Sequence, residues 1–395
     1  MRKHVLFIIE NTSVYNDTRV RSEALAAKEF GFDVSVICPK ARKRKFRADE
    51  LDGIRVYEHP EPVIGVGKLS LVLEYVNAFF WELVLALRIY FGQRFHIIHS
   101  ANPPDHVFLL AIPFRLLGVR FIFDHHDITP ETYIAKFGKK GLVYKLLLMM
   151  ESLTFRSTDV VISTNESYKK IAMGRGGRHA DDVFVVRNGP DLGRMKRLEA
   201  NGDLRRGFSY LVGYVGIISQ QEGIDVLLRV ARYLVMTRGR TDIRFIIVGS
   251  GPYWKEMVEL SRRMSLERYV SFTGFVPDAD LYNILSSVDV CVNPEFRNEF
   301  TDKSTMIKIM EYMTFGKPVV QFYTTEGQVT AGEAAVYVRE NSEELFGDAL
   351  LELLEDEPKR KAMGAEATAR IQNFLCWEKQ KDNLKRAYDR ISSIG

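Results

Sequence analysis

Three adjacent residues, His125, His126 and Asp127, follow the apolar run from Arg120 to Asp124, so a strand ending there would deliver them to the edge of a sheet. An imidazole beside a carboxylate suits hydrogen bonding to hydroxyl groups and charge stabilisation at neutral pH. Adjacent residues cannot all point at one ion, and no further His/Cys grouping accompanies them, so the trio does not read as a zinc site. A second constellation is Ser304, Lys308 and Glu311, three or four residues apart on one side of a predicted helix whose other side carries Met306, Ile309, Met310 and Met313. Ser304 is the expected N-cap, Gly316 the residue just past the helix, and Pro318 the stop. A helix N-terminus with a lysine one turn in suits an anion; alternatively, Lys308 and Glu311 form an ordinary i,i+3 surface pair. A third polar group follows the first apolar run: Asn11, Asp17 and Arg19. Arg19 is read either as a bidentate ligand for an acceptor phosphate or as the partner of Asp17.

These residues need elements to hold them. Short apolar runs alternate with helical patterns along the whole chain, which predicts parallel sheets covered by helices, an α/β architecture of two doubly wound domains. In the first half strands are expected at Val5–Ile9, Val34–Cys38, Arg55–His59, His96–His99, Arg120–Asp124, Val160–Ser163 and Val183–Arg187. In the second they are expected at Leu211–Val215, Arg244–Val248, Val270–Thr273, Val288–Val292, Pro318–Gln321 and Ala335–Val338. Asn188-Gly189-Pro190 is a turn signal. The expected division is a domain over 1–190, a linker over 191–207, a domain over 208–375 and a terminal helix over 376–395. Ligands of such sheets bind beyond the carboxyl ends of the strands, so the predicted site is a cleft between the domains.

Composition fits this plan. With 395 residues and 46% hydrophobic content, the chain can build two cores. Three scattered cysteines, Cys38, Cys291 and Cys376, suggest neither a disulfide framework nor a metal site, and point to a reducing compartment. The start, MRKHVLFIIE, reads as a first buried strand and not as a signal peptide. Net charge is +4, and the basic excess belongs to residues 1–190, much of it in Lys40 to Arg47. That run is a candidate contact for an anionic membrane surface; no aromatic-basic motif accompanies it, so nucleic acid is not expected. Leu69 to Phe91 is rich in apolar residues but carries Glu74, Glu82 and Arg88, which argues for a helix packed on the sheet, or one lying at a membrane interface, not one crossing a bilayer.

The order and spacing of several motifs resemble the family 4 glycosyltransferases, retaining enzymes of the GT-B fold, and most of all bacterial enzymes that assemble surface polysaccharides. The motifs are Asp17-Thr18-Arg19-Val20, FDHHDITPE (Phe123–Glu131), VVRNGPD (Val185–Asp191), GYVGIISQQEGID (Gly213–Asp225), VGSGP (Val248–Pro252), FTGFV (Phe272–Val276) and the stretch through Glu311 to Val320. The resemblance implies transfer of a hexose-type sugar from a UDP- or GDP-type donor to a lipid-linked or saccharide acceptor, without a metal or other cofactor. It implies a cytoplasmic protein, peripheral on the inner face of the plasma membrane. It aligns Glu311 with the ribose-binding carboxylate, the N–H groups of Thr305 and Met306 with the diphosphate, and Phe275 and Val276 with the base. Gly216 and Gly251 align with the glycine turns of the donor pocket, and His126 with the active-site histidine, with Asp127 beside it and His125, Asn11, Asp17 and Arg19 on the acceptor side. The leaving diphosphate would take the acceptor proton on the same face.

This chain departs from the family pattern where charge matters. Lys303 stands in place of the first Glu of the E-x7-E pattern, and Ile217 and Glu222 stand where the family has an Arg and a Lys on the diphosphate. Lys303 or Lys308, supported by Ser304 and the helix dipole, is expected to supply the missing charge, and Asp302 to take over sugar-hydroxyl contacts. The rival readings are a sugar-nucleotide epimerase of the same fold and a nucleotide-sugar-binding protein without catalysis. The Asp278-Ala279-Asp280 triplet is expected to open a helix instead of binding a metal.

Overall fold

A computed structural model describes residues 2–41, 51–60 and 68–394, the side chains of 68–72 excepted. Of the basic run Lys40 to Arg47, residues 42–47 lie outside the described residues. The chain forms two compact units, Met1–Asn188 with Lys381–Gly395, and Gly189–Gln380.

The first unit holds seven strands: β1 (His4–Ile8), β2 (Asp33–Pro39), β3 (Arg55–His59), β4 (Ile97–Ala101), β5 (Arg120–His125), β6 (Val160–Ser163) and β7 (Val183–Val185). They form one sheet in the order β3-β2-β1-β4-β5-β6-β7, every pairing parallel. β1 and β4 are buried along their whole length, because helices cover both faces and apolar residues are needed on each. The order reverses between β1 and β4, so the crevice for a ligand lies beyond their carboxyl ends. One face of the sheet, with Leu6, Ile8, Ile98, Phe121 and Phe123, packs against Ala86, Ile89, Leu110, Phe114 and Phe155 of the connecting helices. The apolar stretch around Leu69–Phe91 is the helix Lys68–Gly92, which buries Ala78, Glu82, Ala86 and Ile89. No helix among the described residues is long and apolar enough to cross a membrane. Residues Lys381–Gly395 belong to this unit through Tyr388, which is fully buried, bonds to His99 and packs near Phe30 and Phe32.

The second unit has six strands: β8 (Tyr210–Val215), β9 (Ile243–Val248), β10 (Val270–Gly274), β11 (Val290–Asn293), β12 (Val319–Phe322) and β13 (Ala335–Val338). Their order is β10-β9-β8-β11-β12-β13, all parallel, with the switch point between β8 and β11. Alternation along each strand splits the core: Val212, Phe245 and Ile247 face Leu227, Leu234 and Phe346 on one side. Leu211, Ile246 and Cys291 face Ile309, Met310 and Met313 on the other. All three cysteines are buried and free. The stretch expected as a linker is fastened to this unit: the backbone N–H groups of Leu198 and Asn201 donate to Ser286 and Ser287, and Arg205 forms a two-pronged pair with Asp289. Asp278 begins the helix Asp278–Ser287.

Candidate functional site

In the first unit, functional side chains collect at the carboxyl ends of β1, β4 and β5. Asp124, the penultimate residue of β5, is fully buried. It accepts from Arg19 Nη2 at 2.8 Å and Nε at 3.1 Å, so the guanidinium grips both its oxygens. Arg19 stands in the first turn of the helix Thr18–Glu29, capped by Asp17, whose Oδ1 accepts from Val20 N. Nη1 donates to Val186 O at 2.7 Å and Asn188 Oδ1 at 2.6 Å, Glu23, one turn on, lies 3.1 Å from Nη2, and Nε also donates to His126 Nε2 at 2.6 Å. The expectation of Arg19 as a ligand for an acceptor phosphate is therefore corrected. The guanidinium is buried and spent on five partners, because the carboxylate at the end of β5 requires a counter-ion inside the protein. Asp17 is likewise a helix cap and not its ion-pair partner.

His126 is the part of this network that reaches solvent, with 16% of its side chain exposed against none for Asp124. Its Nε2 lies 2.5 Å from Asp124 Oδ2 and 2.6 Å from Arg19 Nε, so that edge of the ring is oriented by both groups, leaving Nδ1 as its other hydrogen-bonding atom. Its backbone is pinned as well: Asn102, just past β4, accepts from the N–H groups of His126 and Asp127 at 2.6 and 3.0 Å and donates to Asp127 O and Asp105. Burial opposes ionisation of Asp124, but Arg19 and His126 outweigh it and hold its carboxyl well below the usual range. Burial together with the Asp124 charge pushes Glu23 well above that range despite Arg19. Glu23, Asp124 and His126 bring one ligand atom each within 4.8 Å of one another, but Arg19 already supplies the cation to this cluster. Burial also pushes up the carboxyl of Asp127. Asn11 is exposed in the loop after β1.

His125 turns the other way, as alternation along β5 requires. It is completely buried among Phe123, Phe155 and Tyr168, and its expected place on the acceptor side is corrected to one in the core. Burial first, and the nearby Arg175 second, push it down to about 3. Behind it Arg175 bridges Glu131 and Glu151, the latter pushed by burial up to about 7. Because the unfolded chain binds a proton at His125 below about pH 6.5 and the folded one does not until about pH 3, this residue removes stability as pH falls through that window. His125→Leu is expected to flatten the acid limb by about 1 kcal/mol per pH unit, measured by urea unfolding from neutral pH downward. Glu151, 3.8 Å from the ring, acts in the opposite sense between its ordinary value of 4.5 and about 7, so the slopes are compared below about pH 4.5. Equal slopes would show that the ring is protonated in the folded state.

In the second unit the corresponding residues gather at the ends of β8 and β11. The helix expected from Ser304 begins later, as Ile307–Thr314 with Met306 at its N-cap, and ends at Gly316 in the left-handed region. Ser304 instead closes a short preceding helix, Glu299–Lys303, donating from Oγ to Phe300 O at 2.8 Å, which corrects its expected capping role. A backbone already bonded within that helix competes successfully for the serine hydroxyl. Thr305 lies between the helices and is partly exposed, Met306 packs on the core, and Lys303 is partly exposed. Asp302 accepts from Thr325 N, Thr325 Oγ1 and Arg297 Nε at 2.9, 3.0 and 3.0 Å, so it fastens the start of the next helix; its expected sugar contact is corrected to this structural one. Glu311 is partly exposed while Ile309, Met310, Tyr312 and Met313 are buried.

Lys308 does not pair along its own helix. Its ammonium contacts Glu222, Glu295 at 2.7 Å and the Tyr214 hydroxyl at 3.3 Å, above the Tyr214 ring. Burial disfavours its charge, but the two carboxylates outweigh that and raise its pKa. Lys308 is therefore not the phosphate cation that was expected: its charge is answered by two carboxyl groups, and burial raises the pKa of one of them, Glu295. Gly216 sits beside it: a Cβ there would lie 2.7 Å from the Tyr214 hydroxyl. At Gly251 a Cβ would lie 2.4 Å from Ile218 O. Its lack of a side chain lets the loops after β8 and β9 touch. Beyond Gly274, Phe275 is 84% exposed while Val276 packs on the core. Sequence reasoning missed Asp124, Glu23, Glu295 and Tyr214 as members of these networks. The signal for Asp124 and Glu295 is a carboxylate at or just past the end of an apolar strand run, where burial demands a cation.

Two family models match in tandem, the "Glycosyl transferase 4-like domain" over residues 17–189 and "Glycosyl transferases group 1" over residues 209–356. A D-inositol 3-phosphate glycosyltransferase of Corynebacterium urealyticum is 24% identical over 95% of this chain and 90% of its own. The matches to two other Corynebacterium proteins of that name cover 65% and 42% of their lengths. An O-antigen chain mannosyltransferase B of Escherichia coli is 27% identical over 44% of each chain. Among solved structures, sucrose-phosphate synthase from Thermosynechococcus elongatus superposes with a TM-score of 0.79 at 17% identity over the full length of both chains. HepE of Anabaena in complex with UDP and glucose does so with 0.74 at 15% over 98% of this chain and all of its own. With these matches over two doubly wound units, the chain belongs to the GT4-like glycosyltransferases of the GT-B fold.

Proposed function

We propose that the protein transfers a hexose-type sugar, with retention of configuration, from a UDP- or GDP-type donor to a lipid-linked or saccharide acceptor in bacterial polysaccharide assembly. The observation that carries this reading is His126, oriented by Asp124 and pinned through Asn102 at the carboxyl end of β5. With its Nε2 held between Asp124 and Arg19, the ring engages a sugar hydroxyl through Nδ1. Glu311 is suited to two vicinal ribose hydroxyls, since an ionised carboxylate accepts only, and the exposed Phe275 offers a face to a base. Catalysis on this reading needs no metal: the leaving diphosphate takes the acceptor proton, and the protein contributes orientation and electrostatic stabilisation.

Lys308 favours a second reading, nucleotide-sugar binding without turnover, because its charge is already answered by Glu222 and Glu295. Thermal unfolding against a panel of nucleotide diphosphates and their sugars separates the possibilities, since a ligand at about 100 times its Kd adds roughly 2.7 kcal/mol. A rise with one nucleotide sugar, absent in Glu311→Ala, is expected; a rise without transfer to any acceptor supports the second reading, and no rise with any member of the panel removes both.

A further inference from the structure

The sheet face beneath the helix Lys68–Gly92 is apolar until the carboxyl ends of the strands, where it turns polar. Glu10 is two residues past Ile8 and His59 two past Tyr57. Ile8 and Tyr57 both pack on that face, so alternation brings Glu10 and His59 to the same side. The helix contributes Glu82, one turn from Phe79 and one from Ala86, which belong to the same packed layer. His106, in the loop after β4, completes the group. Its Nε2 lies 3.2 Å from Glu10 Oε2, and its ring stands edge-on to Tyr75 and Phe79 at 5.8 and 6.0 Å. Glu10, His59 and Glu82 are each more than nine-tenths buried.

What this group lacks is a cation. At the end of β5 Asp124 has Arg19, and past β11 Glu295 has Lys308, but among the described residues no lysine or arginine pairs with Glu10 or Glu82. Glu10 Oε1, Glu82 Oε1 and His59 Nε2 are buried without a hydrogen-bond partner. The imidazole nitrogen is an acceptor like the two oxygens: His59 Nδ1 lies 3.0 Å from Pro60 O, which only accepts, so Nδ1 carries the proton, and burial disfavours a second one. Burial first, and the Glu10 charge second, push the Glu82 carboxyl well above its usual range, the behaviour of an acid without a counter-ion. Water offers two donors and a hydroxyl one, whereas a primary ammonium offers three, no acceptor, and the charge that buried carboxylates require. We infer that Glu10, Glu82 and His59 receive a primary ammonium group, the amino substituent of a saccharide acceptor. That the amine belongs to the acceptor rests on the proposed transferase activity. His126 follows β5 as Glu10 follows β1, two strands along the same edge. That spacing of about 10 Å is within the length of a disaccharide. One loop serves both places, with Asn102 pinning His126 and His106 meeting Glu10. An N-acetylated sugar is rejected, because acetylation removes the charge and two of the three donors.

The test is saturation-transfer NMR on the full chain at neutral pH with glucosamine, N-acetylglucosamine and glucose, which differ at one substituent, and with methylamine, an ammonium without a sugar. Transfer assays with the same sugars and UDP- and GDP-sugar donors run beside it. Wild type is expected to bind glucosamine about tenfold or more tightly than any of the other three. Glu10→Gln removes the charge, and Glu82→Gln puts an amide of the same shape where an acceptor is required. Each is expected to bring glucosamine to the level of glucose. Glu82→Gln replaces a carboxyl that is uncharged without ligand, so its thermal unfolding should match wild type and the test stands even where Glu10→Gln fails to fold. Equal binding of the three sugars by wild type, an undiminished preference in Glu82→Gln, or methylamine bound as tightly as glucosamine would overturn the proposal. Selective binding of glucosamine without transfer from any donor would leave the ammonium site standing and sink the transferase reading.

Discussion

His126→Ala is expected to lower transfer about 10²–10³-fold while moving the unfolding of the first unit by no more than about 1 kcal/mol. The asymmetry follows from position: the ring is at the rim of its network, and removing it leaves Asp124 still gripped by both prongs of Arg19. Asp124→Asn should do the reverse first. It removes the carboxylate that both prongs of the buried Arg19 grip, leaving only Glu23 to answer the guanidinium, which is expected to cost about 3 kcal/mol, roughly 10 °C for a unit of this size. Activity in this variant should fall as well, because an amide holds the His126 ring less firmly than a carboxylate. Steady-state transfer and thermal unfolding of both variants check the pair. Wild-type turnover in His126→Ala would remove that residue from the site, and an Asp124→Asn protein as stable as wild type would show that the Arg19 network is not a buried ion pair.

The architecture was legible because each strand is a short run of apolar residues and each break carries its own chemistry. Arg55–His59, Val160–Ser163 and Ala335–Val338 fall where their composition places them, and Asp278 opens a helix as its setting predicts. The sites were legible in part. His126 is found by type and place, since a histidine after a strand stands at a carboxyl end whatever the pairing. Its neighbour His125 misleads, because one residue along a strand reverses the face, and nothing local says which of the two enters the core. Ser304 misleads for a related reason: a serine before an apolar periodic run looks like a cap, but Asn298, Phe300 and Thr301 form a short helix that claims the hydroxyl first. Arg19, Asp302 and Lys308 read in the sequence as ligand-binding charges, or for Arg19 and Lys308 as members of local pairs with Asp17 and Glu311, and the structure gives all three other partners. Their partners Asp124, Thr325 and Glu222 with Glu295 are up to 105 residues away, a separation that spacing rules do not reach.

The group around Lys308 carries the second large effect. Glu295 is buried beneath the ammonium and Glu222 is the more exposed of its two carboxylates, at 23% of its side chain against 6%. The two acids therefore differ in what their removal does. Glu222→Gln leaves a neutral Lys308–Glu295 pair and removes a negative charge from the turn after β8. If a donor diphosphate is bound through Lys308, its affinity should rise about tenfold, equivalent to about 1.4 kcal/mol, with a steeper loss in added salt, as titration calorimetry with nucleoside diphosphates would show. Lys308→Met should abolish that binding and also strip Glu295 of its counter-ion, so the second unit is expected to lose about 3 kcal/mol or more. Adding Glu295→Gln to it should recover most of the stability and none of the binding, separating the ionic role from the ligand role. Unchanged affinity in Glu222→Gln would place the diphosphate elsewhere and make the triad purely structural. A weaker affinity would mean that the carboxylate itself contacts the donor, as it would if its target were a hydroxyl group and not a phosphate. The charge inversion at Glu222 is thus decided by the sign of one binding change, which neither stability nor turnover alone reveals.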